Sequence, residues 1–156
     1  MDLKQLYQDI ILEHGKSPRN LGKCEGYNHD AKGYNPLCGD KVHVYLKLNS
    51  GKNVEGLTFE GEGCAISLAS ASIMTELVNG KSFDEAKDIM NAFLNMIKNT
   101  SEIRSNHLDE DQKTKLMSLS GVKQFPMRVK CATLWWHTLI SAMEGKKEEV
   151  NTEVID

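Results

Sequence analysis

The chain has 156 residues, 40% hydrophobic and 26% charged. At this length one core forms without staples, burying about 70% of the unfolded surface. This excludes disorder and a two-domain architecture, and no run approaches the roughly 18 apolar residues of a membrane span. The formal charge of −3 sits in the last residues, since Glu144 to Asp156 carries two lysines against five acids and the remainder is balanced. No basic stripe is left to neutralise phosphates, which argues against nucleic acid as a partner. The start, Met1-Asp2-Leu3-Lys4-Gln5, lacks the basic and apolar regions of a secretion signal, so a cytoplasmic location away from membranes is expected. Residues 1–145 are expected to form a single domain and 146–156 a frayed, solvated acidic tail.

Leu3, Leu6, Tyr7, Ile10 and Ile11 have helical spacing, with Asp2 as the cap and Gly15 at the exit. Ser17 to Pro36 reads as loop, broken by Gly22, Gly26 and Gly33. Val42, Val44, Leu46 and Leu48 alternate with His43, Tyr45 and Lys47, as in a half-buried strand. Asn49 to Lys52 reads as a hairpin turn into a second strand with Val54, Leu57 and Phe59 and a bulge at Gly56. Ala65 to Asn79 is a helix rich in alanine and serine, closed by Gly80. Ser82 and Glu85 form a capping box before the amphipathic run from Ala86 to Ile97. Asn99 to Gly121 is polar, with one short helix around Gln112 to Leu119. Pro126 opens a last helix striped by Val129, Ala132, Trp136, Leu139, Ile140 and Met143 and ended by Gly145. Of the adjacent Trp135 and Trp136, one is expected in the core and the other nearer the surface.

The four cysteines pose the chemical question. In a reducing compartment they stay thiols, and serve as small buried residues, metal ligands or nucleophiles. Cys38 lies just before the first strand, Cys64 where a glycine-flanked loop enters a helix, and Cys131 about one turn into the last helix. A helix N-terminus favours thiolate, so Cys64 and Cys131 are candidates for low-pKa sulfur. Asp40 follows Cys38 by two residues and leaves an extended segment toward the same side. Three thiolates and a carboxylate would complete a tetrahedral zinc site. The rival reading is three separately buried cysteines acting as small hydrophobes. Four such anionic donors over-neutralise a divalent ion, and Arg128 and Lys130 stand close in sequence to offset the excess. Cys24, in the glycine-rich loop, has no metal-like neighbour and is read as a free or partly buried thiol.

At these residues the chain resembles the U-type iron–sulfur assembly family. Pro36-Leu37-Cys38-Gly39-Asp40, Gly61-Glu62-Gly63-Cys64-Ala65-Ile66-Ser67 and Arg128-Val129-Lys130-Cys131-Ala132 match its three ligand segments in order. The opening helix and His14 to Asn20 also resemble the family's start, so the likeness runs from Leu6 to about Met143. In the family's scaffold branch a histidine precedes the last cysteine and joins the ligands; here Lys130 stands in its place. That branch also carries a Leu-Pro-Pro-Val-Lys segment read by a chaperone, where this chain has Phe125-Pro126-Met127-Arg128-Val129-Lys130. With the extra segment from Asn99 to Val122, these departures resemble the SufU-type branch of zinc-dependent sulfur acceptors.

The resemblance implies an α+β fold, a small antiparallel sheet with amphipathic helices packed against it. It implies one zinc held by Cys38, Asp40, Cys64 and Cys131, with Cys38 as the sulfur-accepting nucleophile and Arg128 and Lys130 in support. It implies a SufS-type cysteine desulfurase as donor and a downstream iron–sulfur scaffold as recipient. The main rival is a scaffold on which an iron–sulfur cluster is itself built, since soft thiolates suit iron as well as zinc. A third reading is a zinc-stapled module that only binds partners.

Overall fold

The computed structural model describes residues 2–98, 102–146 and 148–153. Its elements run α1 (Leu3–Lys16), β1 (His29–Asn35), β2 (Asp40–Leu48), β3 (Val54–Glu62), α2 (Ala65–Val78), α3 (Phe83–Lys98), α4 (Glu110–Met117), a 3-10 segment (Ser118–Gln124), α5 (Pro126–Met143) and β4 (Val150–Asn151). The class is α+β, as expected. One sheet has the order β3-β2-β1-β4, with β1, β2 and β3 antiparallel and the short β4 parallel to β1. No helix among the described residues is long and apolar enough to cross a membrane.

The local signals hold at most boundaries. Asp2 caps α1 by accepting the Gln5 N–H at 2.8 Å, and the Ser82–Glu85 capping box forms in both directions. Pro126 occupies the first turn of α5, where its missing N–H costs nothing. The hairpin slips register between Lys47 and Leu48, so the extra residue is Glu55, next to Gly56. The short helix after the polar stretch begins at Glu110, capped by Asp109, and continues as the 3-10 segment. The start of that stretch, residues 99–101, lies outside the described residues.

Three expectations are corrected. First, the region read as loop contains β1, whose inward residues are Ala31, Gly33 and Asn35. Small and polar residues on the buried face hide the alternation that marks a strand. Gly33 is there because α5 lies almost on it: a Cβ would meet Thr138 Oγ1 at 2.4 Å and Leu134 Cδ1 at 2.9 Å. Second, Trp135 and Trp136 are both fully buried. Helix α5 packs against β1 and β2 and against α2 and α3, so adjacent residues face different walls of the core. The Trp135 ring meets Phe59 of β3 edge-on and Trp136 stacks on Phe93 of α3. Each indole N–H donates to a serine of α2 at 2.9 Å, Trp135 to Ser67 and Trp136 to Ser70. Third, the tail is not wholly frayed, because Val150 and Asn151 pair with Gly33 and Tyr34 and Thr152 is buried.

Helix α1 is pinned to α2 by His14, which is buried with its Nδ1 2.7 Å from Ser72 Oγ. Ser72 Oγ also accepts the Arg19 N–H at 2.8 Å, which ties the segment after α1 to the same point on α2. Burial pushes the His14 pKa below its ordinary 6.5, helped by the nearby Arg19 charge. Because the folded value is lower than the unfolded one, this contribution is complete above about pH 6.5 and is lost as pH falls through that value. His137 shifts in the same direction, again by burial. Denaturant midpoints are expected to fall between about pH 7 and about pH 5, and His14→Gln to flatten that fall. Gly33→Ala is expected to cost about 1–3 kcal/mol by overpacking, read from the same unfolding curves at neutral pH.

Candidate metal centre

The site assembles at one end of the sheet, where β1 stops at Asn35, β2 begins at Asp40, β3 ends at Glu62 and α5 begins. The β1–β2 turn is closed by the Gly39 N–H donating to the Asn35 carbonyl at 2.8 Å. That turn leaves Cys38 exposed at its tip and sets Asp40, 3% exposed, at the first ladder position of β2. Cys64 is the N-cap of α2 and exposed. Cys131, 2% exposed, lies past the first turn of α5, which the indole–serine bonds hold against α2.

One donor atom each from Cys38, Asp40 and Cys131 lies within 4.8 Å of the others. The Cys131 Sγ–Cys38 Sγ distance is 3.6 Å and all four cysteines are free thiols. Two sulfurs bound tetrahedrally at zinc stand about 3.8 Å apart, the edge set by Zn–S bonds of about 2.3 Å. The spacing therefore fits a soft divalent ion without rearrangement of those two ligands. Cys64 falls outside that tight cluster and adjoins it through Cys131. Gly63, just before it, lies where a Cβ would come 2.5 Å from Ser67 Oγ and 3.1 Å from Asp40 Oδ1.

Cys64 and Cys131 are hydrogen-bond partners and shift each other's pKa in opposite directions. The Cys131 thiol, as hydrogen-bond partner, pulls Cys64 down to about 6, against the opposing effect of burial. The backbone N–H groups of Ser67 and Ile66 at the start of α2 add to the lowering, as a helix N-terminus should. Cys131 is pushed up, first by its bond to Cys64, then by burial and by Asp40 and Cys38. The expectation of low-pKa sulfur thus holds for Cys64 and fails for Cys131. Cys131 is buried beside Asp40 and beyond the first turn of α5, out of reach of the free N–H groups that favour thiolate.

Arg128 is exposed, its guanidinium 5.3 Å from the Phe125 ring centre. Lys130 directs its ammonium to Glu153, at 2.8 Å, rather than to the sulfurs. Cys24 packs at Gly56, toward the opposite end of β3, apart from the cluster. Sequence reasoning missed Asn35. This residue is fully buried, and its Nδ2 lies 3.4 Å from Asp40 Oδ2 and 3.7 Å from Cys131 Sγ. No periodicity could have marked it, since a polar residue beside a proline reads as loop.

Fold and site together define a small α+β protein with a cysteine-rich cluster, a candidate metal site, at the junction of a sheet end and two helix starts. The chain belongs to the family described as the NifU-like N terminal domain, which matches residues 6–132. It is 40% identical over 139 residues, 88% of this chain and 89% of the relative, to the zinc-dependent sulfurtransferase SufU of Bacillus subtilis. It is 35% identical over 142 residues, 91% of this chain and 85% of the relative, to the iron–sulfur cluster assembly scaffold protein IscU of Streptococcus pyogenes. A crystal structure from Fervidobacterium islandicum, described as a candidate iron–sulfur cluster assembly scaffold for the SUF system, superposes with a TM-score of 0.75. That match has 34% identity and covers 89% of this chain and 97% of the other.

Gly63→Ala is expected to crowd Asp40 and weaken divalent-metal binding about tenfold, the scale of a disturbed ligand surround. A chelator-competition titration measures it.

Proposed function

We propose that this protein is a zinc-dependent sulfurtransferase of iron–sulfur cluster biogenesis. In this reading a SufS-type cysteine desulfurase donates sulfur and a downstream iron–sulfur scaffold receives it. The observation that carries the reading is the unequal exposure of the donors: Cys38 is exposed on a turn, while Asp40 and Cys131 are buried in a strand and a helix. Cys38, Asp40, Cys64 and Cys131 would hold the zinc. Bound there, zinc keeps thiols deprotonated, exchanges ligands readily and takes no part in redox chemistry.

The chain's own residues divide the work. The Cys38 thiolate, exposed on its turn, attacks the terminal sulfur of the donor's persulfide. A new S–S bond forms at Cys38, the donor's S–S bond breaks, and the donor's sulfur departs as a thiolate. Asp40 and Cys131 stay fixed because the strand and helix that carry them do not move with the turn. Leu37, Phe125 and Met127 are half or more exposed around the turn and the start of α5, which suits docking of a protein rather than a small molecule. Arg128, exposed beside them, is available to an anionic partner group or to the excess charge of the donors.

The scaffold reading has support in the name of the Streptococcus pyogenes relative. Against it, the residue before the last cysteine is Lys130, a cation already paired with Glu153. It adds no donor for a cluster iron. With desulfurase and cysteine, persulfide is expected on Cys38 by peptide mass spectrometry, and Cys38→Ala should reduce sulfur transfer to background. The native protein should carry one zinc per chain and no iron. Undiminished transfer in Cys38→Ala, or a stable transferable cluster after anaerobic reconstitution, would favour the scaffold instead.

A further inference from the structure

Three thiolates and a carboxylate around a divalent ion leave two negative charges uncompensated, and these charges lie in a partly buried site. Asn35 is placed to answer that excess. Both N–H bonds of its buried carboxamide are available to Cys131 Sγ and Asp40 Oδ2. A carboxamide fits its slot in two orientations related by a half-turn, and only one of them presents N–H groups to the donors. The orientation is set at Oδ1, which accepts the Leu37 N–H at 3.2 Å and the Thr152 hydroxyl at 3.1 Å.

Thr152 reaches Asn35 from the far end of the sequence. It is 2% exposed, and its own N–H donates to the Tyr34 carbonyl at 3.1 Å, directly after β4 pairs with β1. The next residue, Glu153, donates its N–H to Asn151 Oδ1 at 2.8 Å and pairs with Lys130 of α5, one residue before Cys131. The C-terminal segment is thus fastened to β1 and to α5, the two elements that meet at the site.

We propose that Thr152 is a positioning residue for the metal centre: its hydroxyl fixes the Asn35 carboxamide with its N–H groups toward Cys131 and Asp40. This rests on the zinc reading above. Thr152→Val keeps the shape and removes the hydroxyl, whereas Thr152→Ser keeps the hydroxyl. In full-length protein, Thr152→Val is expected to raise the zinc dissociation constant about tenfold in chelator competition, as loss of an outer-shell partner does. Thr152→Ser should bind as wild type. The visible ligand-field bands of the cobalt-loaded protein should shift in the valine variant only, and the metal-free valine variant should still unfold cooperatively, with its thermal midpoint only a few degrees lower, as one lost hydrogen bond dictates. Wild-type zinc affinity and an unshifted cobalt spectrum in Thr152→Val would overturn the inference. So would a loss that Thr152→Ser fails to restore, or one accompanied by unfolding of the metal-free valine variant at the temperature of the titration. A wild-type chain that takes up no zinc would instead overturn the metal reading beneath it.

Discussion

Helix α5 is enclosed on nearly every side, and the two indole N–H groups it carries into the core must be satisfied there. An unpaired buried donor costs about 1–3 kcal/mol. Ser67 and Ser70 of α2 meet that requirement, and Ser70 also donates its own proton to the Ala132 carbonyl of α5 at 2.5 Å. The serine-rich face of α2 is therefore the docking surface that sets the depth and rotation of α5. Gly33 sets the approach from the sheet side, where no side chain would fit. Cys131 belongs to the first turns of that helix, so its sulfur is fixed by packing several residues away.

The site then combines one buried side and one exposed side. Asp40 is held by the β1–β2 ladder and Cys131 by α5, whereas Cys38 sits between them on a four-residue turn with its thiol exposed. The hydrogen bond between Cys64 and Cys131 pulls the Cys64 pKa down and pushes the Cys131 pKa up. The surrounding groups are suited to an anionic cluster, with the Asn35 carboxamide inside and cations outside on α5. Lys130 is turned outward to the C-terminal segment, which makes that position part of the scaffold's fastening rather than of the donor set.

The helices were legible because their apolar spacing and caps are local properties, as Asp2, the Ser82–Glu85 box and Pro126 show. Strand β1 was not, because the residues it buries are alanine, glycine and asparagine. Their burial is imposed by α5, which lies about one hundred residues further on, and no window around them contains that information. Trp135 and Trp136 failed for a related reason. An amphipathic reading assumes one wet face, and a helix with a sheet on one side and helices on another has almost none. Asn35 and Thr152 are linked across the length of the chain, so neither has a neighbour in sequence that hints at its partner.

The sequence by itself determined the ligand candidates, their order and the helices that carry two of them, because those depend on residue type and short-range spacing. Its composition was also sufficient to place the excess negative charge at the acidic end. Only the tertiary structure decided which donors lie within reach of one another, in which direction each thiol's pKa is pushed, and that part of the acidic end returns to the sheet. Those outcomes depend on distance, burial and hydrogen-bond direction between segments remote in sequence. They exist only once α5 is docked between the sheet and α2.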